Sequence, residues 1–304
     1  MAHDLIVDYA PVINGTALTQ SHNVQGNQNL SLMEIAQSGS LENLEYLEAF
    51  SEPNLNVETF NIFDVLDSGV LNVSLTAGLD ASAGNTIAQY KRAVDQGGFS
   101  SGTDHVQALS AKAFAFVESI RATQDENVPA SLKLGIHLLR SGSTEPNVVS
   151  DAATLLGALS LGVSYAMGPV YIAGTKYDGL QQVEYVSGLQ ARVKRESGEM
   201  FGDSVRISKL KHEFRLGVEE FATLETQGFG LSDTAGAVDM YLRKINTAGG
   251  RVADATAEHL KLSFSAAKFL VQELKTSGDE GETQAVPTIL NTGTVSLSLV
   301  SAIP

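Results

Sequence analysis

Short runs in which apolar and polar residues alternate dominate this chain, and they predict strands. Between 211 and 218 the apolar positions Phe214, Leu216 and Val218 fall on one face. Leu71, Val73 and Leu75 do the same within 70–76, and Val295, Leu297 and Leu299 within 294–300. Turn pairs separate such runs: Asn14-Gly15, Gly97-Gly98, Asp178-Gly179 and Gly249-Gly250. Helical spacing is confined to short stretches. Phe60, Phe63 and Leu66 precede Gly69, and Phe221 and Leu224 precede Gly228, which predicts about one helix per half with glycine just past its end. Leu44, Leu47 and Phe50 also share a helical face, predicting a further short helix over 42–50.

Landmarks of the first half recur in the same order in the second. Ile13-Asn14-Gly15-Thr16 returns as Ile172-Ala173-Gly174-Thr175, and Val57-Glu58-Thr59-Phe60 as Val218-Glu219-Glu220-Phe221. Tyr90 with Lys91-Arg92 matches Tyr241 with Arg243-Lys244, His105 matches His259, and Val128-Pro129 matches Val286-Pro287. Identity is low, but the order and the near-constant spacing of about 151 to 161 residues point to a tandem duplication. The expected fold is mainly β, with two tandem homologous sandwich or barrel domains: 1–150, a joint at 151–168, and 169–304.

Bulk composition fits this division. A length of 304 residues suggests about two domains, and 43% hydrophobic with 18% charged residues is an ordinary globular balance. The most apolar stretch, 152–167, falls short of the ~18–20 residues of a membrane span. The first residues show no basic segment before an apolar core, so a soluble chain without a secretory signal is expected. The absence of cysteine excludes disulfides, thiolate metal sites and cysteine nucleophiles. A net charge of -15 argues against binding a phosphate backbone as the main task.

Candidate chemistry is sparse. His105 and His259 each stand without a second ligand at metal spacing, and read as structural histidines at strand starts. His212-Glu213 lacks the second histidine of a zincin motif. Gly278-Asp279-Glu280-Gly281-Glu282 lacks the alternating ligand spacing of a calcium loop. Gly98-Phe99-Ser100-Ser101-Gly102 fits the bare serine-elbow pattern, but no apolar strand leads into it. No catalytic, cofactor-binding or metal residues are assigned, no cofactor is expected, and the chain is not expected to be an enzyme.

One contrast stands out. Residues 1–159 hold six basic against eighteen acidic residues, whereas 160–304 hold fourteen against seventeen. Glu42, Glu45, Glu48 and Glu52 lie in a segment without basic residues. The corresponding segment of the second half carries Arg192, Lys194, Arg195, Arg206, Lys209, Lys211 and Arg215. These two sets are candidate faces for contact between subunits, where paired charge would fix register more than affinity.

The segment VYIAGTKYDGLQQVEYVSG at 170–188 resembles the opening of tailed-phage tail proteins. MYLRKINTAGGRVADATAEHLKLSF at 240–264, with the later acidic turn, Val-Pro and closing SAIP, is similar to virion structural proteins of the tail-tube family. QYKRAVDQGGFSSGTDHVQALS at 89–110 echoes it more faintly. The resemblance implies a virion protein, made in the host cytoplasm, that assembles with itself as a pseudo-sixfold homotrimeric ring. It implies stacking of rings, contact with other tail or baseplate proteins, DNA only as transient cargo in the lumen, and no membrane partner. The family has no catalytic residues to carry over. The alternatives are a double jelly-roll coat protein of a tailless virus and a tail-tip or carbohydrate-binding double sandwich. An absence of tryptophan weakens the last.

Overall fold

A computed structural model of the chain describes residues 6–13, 16–27, 29–36, 43–67, 79–81, 85–92, 105–124, 128–146, 148–155, 162–218, 232–246, 249–276 and 283–304. The fold is mainly β. In the first half the strands are β1 (Ile6–Tyr9), β2 (Val12–Ile13), β3 (Thr16–Ala17), β4 (Ser21–Asn27), β5 (Leu30–Ala36), β6 (Asn43–Ser51) and β7 (Asn54–Thr59). Helix α1 (Ile62–Asp67) follows, then β8 (Leu79–Ala81), β9 (Asn85–Arg92), β10 (His105–Ser110), β11 (Lys112–Thr123), β12 (Ser131–Leu139) and β13 (Val148–Ala153). The second half holds β14 (Tyr165–Ile172), β15 (Thr175–Tyr177), β16 (Leu180–Val186), β17 (Gln190–Lys194), β18 (Ser204–Lys209) and β19 (Glu213–Val218). It ends with β20 (Ser232–Lys244), β21 (His259–Thr276), β22 (Thr283–Asn291) and β23 (Val295–Ser301).

A 13-stranded sheet runs β15-β14-β20-β21-β22-β19-β16-β11-β12-β7-β4, with β23 on β21 and β8 on β11. It crosses from one half of the chain to the other where β11 pairs with β16. A smaller sheet, β13-β10-β9-β2-β3 with β1 on β9, belongs to the first half, and β5–β6 and β17–β18 are separate two-stranded arms. One hydrophobic core takes residues from both halves, Leu18, Ile120 and Leu132 together with Tyr185, Phe214 and Phe264 among them.

The pairings of the two halves match in register, bulges included. Ser21 faces Thr59, His22 is skipped, and the ladder runs from Asn23↔Glu58 to Asn27↔Asn54. Leu180 likewise faces Val218, Gln181 is skipped, and the ladder runs from Gln182↔Gly217 to Val186↔Glu213. The β11·β12 ladder slips between Val117 and Ser119, and β21·β22 slips between Val271 and Glu273. His105↔Ala153 followed by Gln107↔Ser150 returns as His259↔Ser301 followed by Lys261↔Ser298. The arms repeat as well, Ser31↔Phe50 then Leu32↔Glu48 matching Gln190↔Lys209 then Ala191↔Ile207. In the second half β21 is one strand of 18 residues, whereas its counterpart is cut into β10 and β11 at Ala111.

Several expectations hold and some need correction. The strand at 213–218 buries Phe214, Leu216 and Val218 as its alternation requires, and β23 turns Leu297 inward. The first-half helix is present as α1, but it buries Ile62, Val65 and Leu66 rather than the expected Phe60, Phe63 and Leu66, since Phe60 precedes it and Phe63 is only half-buried. The helix expected over 42–50 is instead strand β6, paired with β5. One-residue bulges at Leu44 and Ala49 break the period-two pattern, so Leu44, Leu47 and Phe50 mimic a helical face. Tyr90 opposes Val106 as Leu242 opposes Leu260, so its ladder counterpart is Leu242 and the tyrosines are one residue out of step. Val128-Pro129 precedes β12 while Val286-Pro287 lies inside β22, so that match is not equivalent either. The expected joint spans the end of β13 and the start of β14. The strand over 70–76, the helix at 221–224, Gly98–Gly102 and the acidic loop at 278–282 lie outside the described residues.

Candidate assembly interface

The place where the chain joins its own halves shows what its surfaces can do. Residues Ser119 to Thr123 of β11 pair antiparallel with Val186 to Gln182 of β16. Backbone bonds extend the seam at both ends: Ser187 N–H donates to Glu118 O at 3.0 Å, and Gln124 N–H to Gln181 O at 2.8 Å. Arg121 Nη2 donates to Gln182 Oε1 at 3.0 Å across it. Behind the seam Tyr185 is fully buried, and the rings of Phe214 and Phe264 stack with centroids 4.0 Å apart.

A second contact comes from the β17–β18 arm. β17 alternates strictly and β18 in its middle, with Arg192, Lys194 and Arg206 exposed and Ala191, Val193, Val205 and Ile207 turned inward. The inward row packs on Phe114, Phe116 and Leu139, so the arm of the second half covers the outer face of β11 and β12. Beyond its strands the arm meets the first half again. Ser51 N–H donates to Met200 O at 3.1 Å, Arg140 N–H to Gly202 O at 2.8 Å, and the Arg140 guanidinium reaches Glu199 at 2.5 Å.

The predicted charged residues divide into three groups. Arg195 lies over the Phe50 ring at 4.4 Å, and Glu52 lines a cleft with Lys194 and Arg195, so the acidic and basic segments do meet within one chain. Arg192, Arg206 and Lys209 are exposed on the arm. Lys211 and Arg215 instead hold Glu213, at 3.1 and 2.5 Å, and Arg215 also reaches Glu184 at 3.8 Å. Glu213 is 6% exposed. Burial pushes its carboxyl up, but hydrogen bonds from Lys211 and Arg215 outweigh this and hold it below the usual range. Glu45 and Glu48 lie in β6, and Glu42 lies outside the described residues.

The histidines are tied into the fold. His259 Nδ1 accepts from Lys244 N–H at 3.2 Å and Nε2 lies 3.0 Å from Ala253 O, which fixes the proton on Nε2. His105 is buried at the first position of β10, as His259 is at that of β21. Among the described residues no group of three His, Asp or Glu side chains could hold a metal ion.

Sequence reasoning missed the arm's docking patch and the Arg121–Gln182 pair. The patch was signalled by Ala113-Phe114-Ala115-Phe116-Val117, a run apolar at successive positions, as befits a strand covered on both faces. The seam pair carried no signal, because register across two distant segments cannot be read from either one. No protein-family model matches the chain, and no curated protein matches it significantly.

Proposed function

We propose that the chain is a virion structural protein of the tail-tube kind, a tandem duplication that self-assembles into pseudo-sixfold trimeric rings around a lumen for DNA. The observation that carries this reading is the seam between β11 and β16, an edge-to-edge junction between two halves whose ladders repeat in register. A chain that joins one repeat to the next by such a heterologous contact has the kind of interface that closes rings. An overall charge of -15 suits a lumen through which DNA slides without adhering. The reading is structural rather than enzymatic, in keeping with ion pairs and histidines engaged in packing.

Negative-stain microscopy and mass photometry of the purified protein test it. Rings or short cylinders with a central hole and a trimer mass are the expected result. A monomer at all concentrations overturns the assembly reading, and a closed shell replaces it with a double jelly-roll coat.

A further inference from the structure

The internal seam leaves its counterpart open at both ends of the molecule. Register places β16 in the position of β4, and Ser119–Ala122 of β11 in the position of Glu273–Thr276 at the end of β21. Among the described residues β4 pairs with β7 alone, and β21 beyond Leu270 pairs with β22 alone. β4 is exposed along most of its length, whereas β16 is buried or half-buried everywhere but Gln181. Unpaired strand edges of this kind are templates for another chain.

We infer that the open edge of β21 receives β4 of a second copy of this chain, in the register of the internal seam. Transposing that ladder sets Glu273 opposite Asn27, Leu274 opposite Gly26, Lys275 opposite Gln25 and Thr276 opposite Val24 of the next copy. The same transposition lays the β5–β6 arm of the incoming copy over β21 and β22.

Charge complementarity identifies the occupant as this chain. Inside the molecule, Val193 and Ile207 of the arm pack on a patch that includes Phe114 and Phe116. At the open contact the matching arm positions are Glu34 and Glu48, and the matching sheet positions are Lys268 and Leu270. Two of the four inward arm positions have become acidic, the other two being Leu32 and Tyr46, and the sheet position matching Phe114 has become the basic Lys268 while that matching Phe116 stays apolar as Leu270. Lys268 is exposed. A strand-to-strand ladder supplies adhesion, and the Glu–Lys pairing selects the right copy and register.

This inference rests on the self-assembly reading but can fail separately from it. The chain has no cysteine, so the double variant Gln25→Cys/Lys275→Cys gives a clean readout after mild oxidation of assembled protein on non-reducing gels. Directly opposed positions on neighbouring strands lie within disulfide reach, whereas a one-residue offset points the side chains to opposite faces. The expected result is covalent dimers and trimers for this pair and none for Gln25→Cys/Thr276→Cys. Rings that form without the in-register crosslink overturn the inference and leave self-assembly standing, while a chain that never assembles overturns both. In addition, Lys268→Glu should raise the concentration needed for assembly at least tenfold, with Glu34→Lys restoring it. Assembly indifferent to Lys268→Glu overturns the arm's placement.

Discussion

The hydroxyl of Tyr185 lies 2.9 Å from Nδ1 of His212, with both side chains buried beside the seam that joins the two halves. Burial lowers the His212 imidazole below its ordinary range. His137 is lowered too, by burial and against the pull of Glu52 and Glu118. A lowered imidazole is protonated first in the unfolded chain, so its contribution to stability is whole above about pH 6.5 and lost as the pH falls from there through the lower folded value. The urea midpoint should therefore be lower at pH 5.5 than at pH 7.5, with an unchanged slope. His212→Gln should shrink that difference; equal midpoints for the parent protein at the two pH values would refute the account.

Lys209 and Lys211 are both basic and both exposed, yet they should respond differently to reversal. Lys211 is one of two cations on the nearly buried Glu213, so Lys211→Glu sets two carboxylates together and should cost about 1–3 kcal/mol of monomer stability. Lys209 has no such partner among the described residues, and Lys209→Glu should stay within about 0.5 kcal/mol of the parent. Urea unfolding of the two variants checks the contrast. A test of assembly by charge reversal belongs on Lys209 or Arg206, where loss of rings would not be confused with loss of fold.

Much of the fold was legible because alternation survives wherever a strand is covered on one face, as at Phe214, Leu216 and Val218. The paired histidines were legible for a similar reason, since each opens a strand whose partner ladder repeats. The failures cluster at bulges. The bulges at Leu44 and Ala49 hide β6. A bulge leaves composition untouched while shifting every later side chain to the other face. The candidate faces were only partly legible: sequence exposes charge, but not that Arg215 would turn back onto Glu213.

Gly135 sits in β12 opposite Phe116, and a Cβ there would meet Phe116 Cζ at 2.5 Å and Glu118 Oε1 at 2.9 Å. The Phe116 ring lies over the glycine and forms part of the patch under the β17–β18 arm. Gly135→Ala should displace that ring and loosen the arm, at a cost of about 1–3 kcal/mol. Hydrogen exchange should show faster exchange at 190–209 while the strand amides at 214–218 stay protected. Unchanged exchange in the arm would mean that the ring is not its anchor.

Ala173 and Gly174 form the two-residue turn between β14 and β15, with φ of 50° and 81°. Positive φ at both central positions is the geometry of a type I′ hairpin, which favours Asn-Gly. Alanine carries a Cβ into the left-handed region without a side chain that bonds locally, so it is the poorer of the two choices at the first position. The first half places Asn14-Gly15 at the corresponding point of its sequence. Ala173→Asn should therefore raise stability by about 0.5–1 kcal/mol. Gly174→Ala should lower it by about 1 kcal/mol, through backbone strain alone, since nothing lies within 4 Å of the added Cβ. Thermal midpoints of the two variants should move in opposite directions; a fall for Ala173→Asn would show that this turn is set by its surroundings rather than by its own backbone preference.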